Sequence, residues 1–431
     1  MINSIVWFKS DLRLNDNETL VRAIEQSDKI IPVYCLDDAH LNTCAFGFEK
    51  IGSYRAKFLL QSVYDLDKSL RKLGSGLLVV KGRPEKMLLE LAKVYNVRKV
   101  FAKKEVAYEE IRTDELVEKE LWKINCSMDR FSTSTMYHAE DLPFTIKDIP
   151  DMFTNFRKRV EKESQIRPAY GAPVKINSPE LPPSTIYTLS DLSLSEPIVD
   201  KRRSILFQGG ESEALKRLKL YFFGRNAVAT YKESRNGLLG EDYSTKFSPW
   251  LANGCISPRF IYQELKKYEQ KFGANESTYW LEFELLWRDY FRFIMKKHRN
   301  KLFQENGLKI SSVAKYETKP EDLNKWINGN TGSDFVDANM LELKLTGFMS
   351  NRGRQNVASY LVNDLKVDWR YGAAYFEQQL IDYDVCSNWG NWAYLAGVGT
   401  DPRGQRIFNI EKQAEQYDPE GLYRKTWLKS A

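Results

Sequence analysis

The chain has 431 residues, 42% hydrophobic and 28% charged, too long for a single ordinary core and too apolar for wholesale disorder. No run of about 18 apolar residues offers a transmembrane helix. The net charge of +6 is uneven, −1 over residues 1–200 and +7 over residues 201–431, and this second stretch also holds eight of the ten tryptophans; that pattern suits a nucleic acid or a planar cofactor, and equally a large helical core with a mildly basic surface.

The first 130 residues alternate. Ile5–Phe8 reads as a strand, Asn15–Gln26 as a helix and Ile30–Leu36 as a second strand. Arg55–Leu73 carries apolar residues at helical spacing and stops at Gly74; Leu77–Val80 is a third strand. Gly82-Arg83-Pro84 opens the next helix with Pro near its first turn. Val97–Ala102, Ala107–Trp122 and Ser127–Phe131 complete a strand, a helix and a fifth strand. Five strands alternating with four helices predict a doubly wound parallel sheet, an α/β domain over residues 1–131, with ligands expected at the carboxyl ends of its strands. No GxGxxG follows a strand and no GxxxxGK[ST] occurs, which argues against Rossmann-type dinucleotide binding and against a P-loop. Residues 132–209 are interrupted by eight prolines from Pro143 to Pro197 and read as a long interdomain connector with one helix around Met152–Glu163. From residue 210 to 431 helical patterns dominate: a Leu215/Leu218/Phe222 stripe, a strongly apolar helix over Tyr279–Lys296, and helices over Asn356–Leu365 and Tyr371–Asp382. This second domain is expected to be all-α.

Five cysteines, Cys35, Cys44, Cys126, Cys255 and Cys386, lie far apart without a CxxC pair, and only three histidines occur. That argues against a disulfide framework and a metal site and fits a reducing cytoplasm, and the N-terminus lacks the apolar stretch of a signal peptide.

Four segments concentrate chemistry. Tyr243-Ser244-Thr245-Lys246-Phe247-Ser248-Pro249 puts three hydroxyls and a lysine in one turn, which can cradle phosphates, although Ser248-Pro249 also serves as a plain helix start. Glu284-Leu285-Leu286-Trp287-Arg288-Asp289-Tyr290 sets charges in an apolar helix; Glu284 and Arg288 can pair at i,i+4, or line a polar cavity. Asn351-Arg352-Gly353-Arg354-Gln355-Asn356 is a polar knot at a helix start, fit for phosphate or carboxylates. Asp382-Tyr383-Asp384-Val385-Cys386-Ser387-Asn388-Trp389-Gly390-Asn391-Trp392 combines two carboxylates, an amide and tryptophans, as an acid–base site or as a capped turn.

Together, Asp242–Arg259 (DYSTKFSPWLANGCISPR), Glu284–Tyr290 (ELLWRDY), Thr346–Asn356 (TGFMSNRGRQN), Leu380–Gly397 (LIDYDVCSNWGNWAYLAG) and Phe408-Asn409-Ile410, with the opening Val6–Asp16 (VWFKSDLRLND), resemble the photolyase/cryptochrome family, and within it the DASH cryptochromes. The match spans nearly the whole chain. The resemblance implies noncovalent FAD in the helical domain, its diphosphate held by Ser244, Thr245, Lys246, Phe247 and Ser248 with Tyr231 nearby. It implies Arg288, Asn351, Arg354, Asp382, Asp384 and Asn388 around the rest of the cofactor, with Asp384 accepting from the flavin ring and Asn388 facing its N5. It further implies light-driven splitting of cyclobutane pyrimidine dimers in DNA, with Glu284 and Trp287 holding a flipped-out lesion and Arg352 touching a phosphate.

Gln355 and Tyr394 stand where relatives active on duplex DNA commonly carry Met and Trp, the DASH pattern, which implies a preference for single strands. The relay that loads the flavin runs by similarity through Trp392 and Trp369 to a third position, here Tyr316 in place of Trp. A methenyltetrahydrofolate antenna in the first domain, with Glu105 and Glu109 as its matched residues, is the DASH expectation. A monomer is expected, and the other function classes are a blue-light photoreceptor with a signalling or gene-regulatory role and a DNA- or RNA-binding regulator that keeps the flavin only structurally. Signalling relatives usually carry a long C-terminal extension, whereas about twenty residues follow Ile410 here.

Overall fold

The computed structural model describes residues 2–309 and 316–429. Its first domain is a five-stranded, all-parallel sheet built from β1 (Asn3–Phe8), β2 (Lys29–Leu36), β3 (Leu78–Lys81), β4 (Val97–Lys103) and β5 (Ser127–Phe131), in the order β3-β2-β1-β4-β5. Helices Glu18–Gln26, Ser53–Lys72, Pro84–Val94 and Tyr108–Trp122 make the crossovers. The strands are near-continuous apolar runs because both faces are covered, as in other parallel sheets.

The first helix starts at Glu18 and not at Asn15. Asp16 adopts a left-handed backbone (φ 51°), and Asn17 caps the helix by accepting from the Leu20 N–H at 3.2 Å. Asp16 is thereby freed for a buried ion pair across the molecule. Arg259 Nη2 lies 2.6 Å from its carboxylate, and the Ser257 hydroxyl and the Tyr170 N–H also donate to it. The prediction that a ligand occupies the strand ends meets a physical obstacle at the β1/β4 crossing point, where side-chain charges are already paired. Lys9 reaches Asp114 at 2.8 Å, Lys103 reaches Glu105 at 3.1 Å, and Glu105 also meets Arg292 of the helical half at 2.8 Å.

Residues 132–209 wrap over both halves, with the helix Phe153–Glu163 among them, and their apolar side chains (Met136, Phe153, Phe156, Val160) join the main core. The connector is pinned by Asp289, which accepts from the Met136 and Tyr137 N–H groups at 3.0 and 2.9 Å; burial pushes its carboxyl up to about 7. Gly209 closes the connector because a side chain there would strike the Phe58 carbonyl, 2.1 Å from an ideal Cβ.

The second half, from Glu211, has helices and no strand among its described residues and is built around the 23-residue helix Glu276–His298. That helix begins at a capping box between Asn275 and Thr278, three residues before the apolar pattern does. The predicted helix over Asn356–Leu365 spans Asn351–Asn363, because Ser350 caps it at the Gly353 N–H; the polar knot therefore lies inside the first turns. The predicted Tyr371–Asp382 is Trp369–Gln379, capped by Asp368. At the junction of the halves, Gly254 (φ 67°) presses on the end of β1, 2.1 Å from the Ser10 carbonyl for an added Cβ, and its own carbonyl accepts from Arg13 at 2.9 Å. No described helix is long and apolar enough to cross a membrane.

Breaking the buried Asp16–Arg259 pair leaves an uncompensated charge. Arg259→Met is expected to lower stability by about 3–5 kcal/mol in urea unfolding followed by circular dichroism. Lys57→Ala, which removes the exposed pair with Glu196, should change it by less than about 1 kcal/mol.

Candidate functional site

The cleft of interest lies between the starts of helices Asn351–Asn363 and Val385–Leu395. Asn351, Arg354, Gln355, Asp382, Asp384, Asn388 and Trp392 line roughly 540 Å³ of empty space. Asn351, at the first position of its helix, is exposed at the rim. Arg354 donates to Asp382 at 2.7 Å, yet the other oxygen of Asp382 is buried without a partner among the described residues. Asp384 caps the helix that carries Asn388 and accepts from the Ser387 N–H at 2.8 Å. Burial pushes the Asp384 carboxyl up, but Arg288, 3.8 Å away, and Arg292 outweigh it and hold the group below the usual range. Asn388 donates to the Ala373 carbonyl at 2.9 Å, which fixes its carboxamide.

The hydroxyl-rich turn, Ser244 to Ser248, stands off the lining of this cleft. Lys246 bridges the two, because its ammonium lies 5.0 Å from the Phe348 ring, whose face Arg354 also approaches at 5.5 Å. Lys246 has a left-handed backbone (φ 56°), a strained conformation for a non-glycine residue. Its amine is buried with no hydrogen-bond partner among the described residues, as is the Tyr243 hydroxyl. What holds the turn is Arg217, a residue the sequence reading passed over. Its guanidinium binds the carbonyls of Glu241, Ser244 and Thr245 at 3.0–3.2 Å and the Asp242 carboxylate at 2.9 Å. With its carbonyls drawn toward Arg217, the turn leaves its N–H groups other than that of Phe247 for an anion. The Thr245 hydroxyl accepts from the Phe247 N–H at 3.4 Å, and Ser248 opens the helix Ser248–Ala252. Tyr231 is buried beside Arg235 and Glu284.

The remaining candidates lie outside that lining, except Gln355 and Trp392. Glu284 accepts from Arg235, and burial raises its carboxyl. Trp287 stacks on Phe153 of the connector at 3.6 Å and meets Tyr394 edge-on at 5.9 Å. Tyr394 accepts from Arg406 at 3.0 Å, and Gln355 accepts from Arg352 at 2.9 Å, so both polar departures have partners. Arg352 also holds Asn236 at 3.0 Å and lies on the Tyr417 ring. Trp392 is buried against Phe376 and Trp326, with Gly372 close to its ring, whereas Trp369 has Trp389 as its ring neighbour at 5.7 Å. Tyr316 keeps a buried hydroxyl without a described partner, which burial pushes far up.

The two antenna candidates separate. Glu105 is buried among Lys103, Lys9 and Arg292, which overcome its burial and keep it ionised, whereas Glu109 is 74% exposed and pairs with Lys50. Glu110, overlooked in sequence, has a carboxylate oxygen that is buried and unpartnered, its carboxyl pushed up to about 8 by burial and by Glu105. No signal in the sequence separates these neighbouring acids; the helix register does.

Among the described residues no group of His, Cys, Asp and Glu is arranged to hold a metal. The chemistry present instead fits a large anionic heterocycle: unpartnered cationic and phenolic groups beside the turn, and a carboxylate and amide across the cleft. Residues 4–179 match the DNA photolyase family, and residues 280–431 match the FAD binding domain of DNA photolyase. A cryptochrome DASH of Gloeobacter violaceus is 48% identical over 98% of this chain and 85% of its own length. The cryptochrome DASH of Danio rerio is 50% identical over 98% of this chain and 82% of its own. The crystal structure of a Synechocystis cryptochrome superposes with a TM-score of 0.96 at 48% identity, covering 99% of this chain and 89% of that one.

An α/β domain joined to a helical FAD-binding domain defines a flavoprotein of the photolyase type. The chain belongs to the photolyase/cryptochrome family, among its DASH cryptochromes.

Burial holds the Lys246 amine down at about 7. The unfolded chain keeps that proton up to the ordinary lysine range, so the destabilisation is full at and below pH 7 and fades as pH rises toward 10. In FAD-free protein, Lys246→Met is expected to raise stability by about 2–4 kcal/mol at pH 7 and by progressively less at higher pH, read from urea midpoints across the range. The same variant should bind FAD more weakly.

Proposed function

We propose that this protein repairs cyclobutane pyrimidine dimers in light, as a lyase, and preferentially in single-stranded DNA. When bound in its reduced form, FAD supplies the photoexcited electron that opens the dimer and takes it back. The chain's own residues hold the parts. Ser244, Thr245, Lys246, Phe247 and Ser248, with Arg217 behind them, take the diphosphate, and Tyr231 stands beside them. Asn351, Arg354, Asp382, Asp384 and Asn388 orient the ring, and Arg288 backs Asp384.

The observation that carries the reading is the aromatic corner of Trp287 and Tyr394, ring planes at 84°, next to a cleft walled by Gln355. A flipped base needs such a stacking surface and hydrogen bonds to its edge; Glu284 and Gln355 offer the bonds and Arg352 a phosphate contact. Trp392 and Trp369 supply the inner electron path. A neutral tyrosine loses its proton on oxidation, and the Tyr316 hydroxyl has no described acceptor, which makes it a poor exit. For a methenyltetrahydrofolate antenna, the side chains open to binding are Glu109, whose pair with Lys50 is exposed, and the unpartnered Glu110, since Glu105 is buried in ion pairs. Five free cysteines suit a cytoplasmic protein, and we read it as a monomer.

Extruding a dimer from a duplex costs a few kcal/mol, comparable with the roughly 1–3 kcal/mol of one stacking partner. Tyr394 retains a ring, so the deficit is partial. Repair under illumination should be about tenfold or more faster on single-stranded than on duplex oligonucleotides at equal salt, with bubbles in between. Glu284→Ala should lower all three; equal rates on single strands and duplex would refute the assignment of Gln355 and Tyr394.

Trp392→Phe should nearly abolish light-driven reduction of bound FAD, followed by absorbance, while Tyr316→Phe leaves it unchanged. Repair by chemically pre-reduced protein should survive Trp392→Phe.

A further inference from the structure

One side of the helix Glu276–His298 carries charges at positions 284, 288, 292 and 296, each four residues from the next and therefore in line. Three are matched. Glu284 has Arg235, Arg288 has Asp384 and the Ser134 carbonyl, and Arg292 has Glu105. Lys296 has no ion-pair or hydrogen-bond partner among the described residues. Lys104, at the end of β4, also has none for its side chain.

These two lysines line one pocket with Arg292, Ser132, Thr133 and Thr135, in the crevice between the carboxyl ends of β4 and β5 and the last turns of the helix. It is an open crevice whose roughly 350 Å³ of empty space runs out into solvent. Thr133 is 1% exposed, and its hydroxyl is buried without a partner among the described residues. The Thr135 hydroxyl, by contrast, donates to the Tyr137 carbonyl at 2.6 Å. The acid facing Lys296 is Glu140, which is 78% exposed and turned toward Arg167 at 3.3 Å and His138 at 3.5 Å. Burial, Lys104 and Arg292 all act to expel the proton of Lys296.

Like charges gathered beside the free Thr133 hydroxyl at the carboxyl edge of a parallel sheet are unfavourable until an anion joins them. We propose that this pocket binds a phosphate-sized oxyanion, either free phosphate or the phosphate end of a small phosphomonoester. Lys104 and Lys296 supply charge, Arg292 supplies a shared donor, and the Thr133 hydroxyl donates. The FAD cleft is a separate site, since the two share no lining residue.

The test is calorimetric titration of FAD-loaded protein, in which the diphosphate turn is already filled, with inorganic phosphate and with glycerol 3-phosphate at constant ionic strength set by chloride. Saturable one-site binding of phosphate is expected. Each lysine offers the anion a charge-assisted hydrogen bond, so Lys296→Gln and Lys104→Gln should each weaken it about tenfold or more. Lys296→Arg and the remote, exposed Lys68→Gln should leave it intact, and Thr133→Val should weaken it less. Binding of inorganic phosphate alone identifies the free ion, and comparable binding of glycerol 3-phosphate identifies a phosphomonoester end. No saturable heat with either, or unchanged affinity in folded Lys296→Gln, overturns the proposal.

Discussion

A charge set into an apolar helix is costly without a partner, and Glu284, Arg288 and Arg292, in one line, dictate much of what surrounds the helix Glu276–His298. Glu284 draws Arg235 to the aromatic corner. Arg288 and Arg292 hold Asp384 ionised against burial. Arg292 also reaches across to Glu105, and so ties the helical half to the end of β4. An apolar residue at 288 or 292 would take one of the two cations from Asp384, and one at 284 would leave Arg235 without its carboxylate.

The same logic accounts for where the cofactor is expected. Doubly wound sheets usually receive their ligand at the crossing point of strand order. Here Lys9, Lys103, Glu105 and Asp114 fill that point with paired charges and turn it into a joint between domains. The FAD-binding chemistry moves to the helical half, where the Lys246 amine, the Tyr243 hydroxyl and one oxygen of Asp382 are buried without hydrogen-bond partners among the described residues. The connector serves both halves, pinned through Asp289 and supplying Phe153 as the stacking partner of Trp287.

Local rules located most elements. Pro84 at a helix start, Gly74 after a helix and the alternation of strands with amphipathic helices are short-range signals, and the strands fall within two residues of their predicted limits. Errors gathered at helix starts. Asp16 left its helix for a partner 243 residues away, and Asn275 and Ser350 capped helices earlier than the apolar pattern begins. Side-chain caps and long-range ion pairs are invisible to periodicity.

By itself the sequence determined the two-part architecture, the four polar segments and their family resemblance, because each is written in neighbouring residues. Only the tertiary structure decided which of those residues meet. It set Lys246 and Arg354 at one ring, placed Arg217 behind the turn and buried an oxygen of Glu110 while exposing Glu109. It also left Lys296 without a described counter-charge. These are matters of helix register and distance between segments far apart in the chain, settled by burial and charge pairing, which no local pattern encodes.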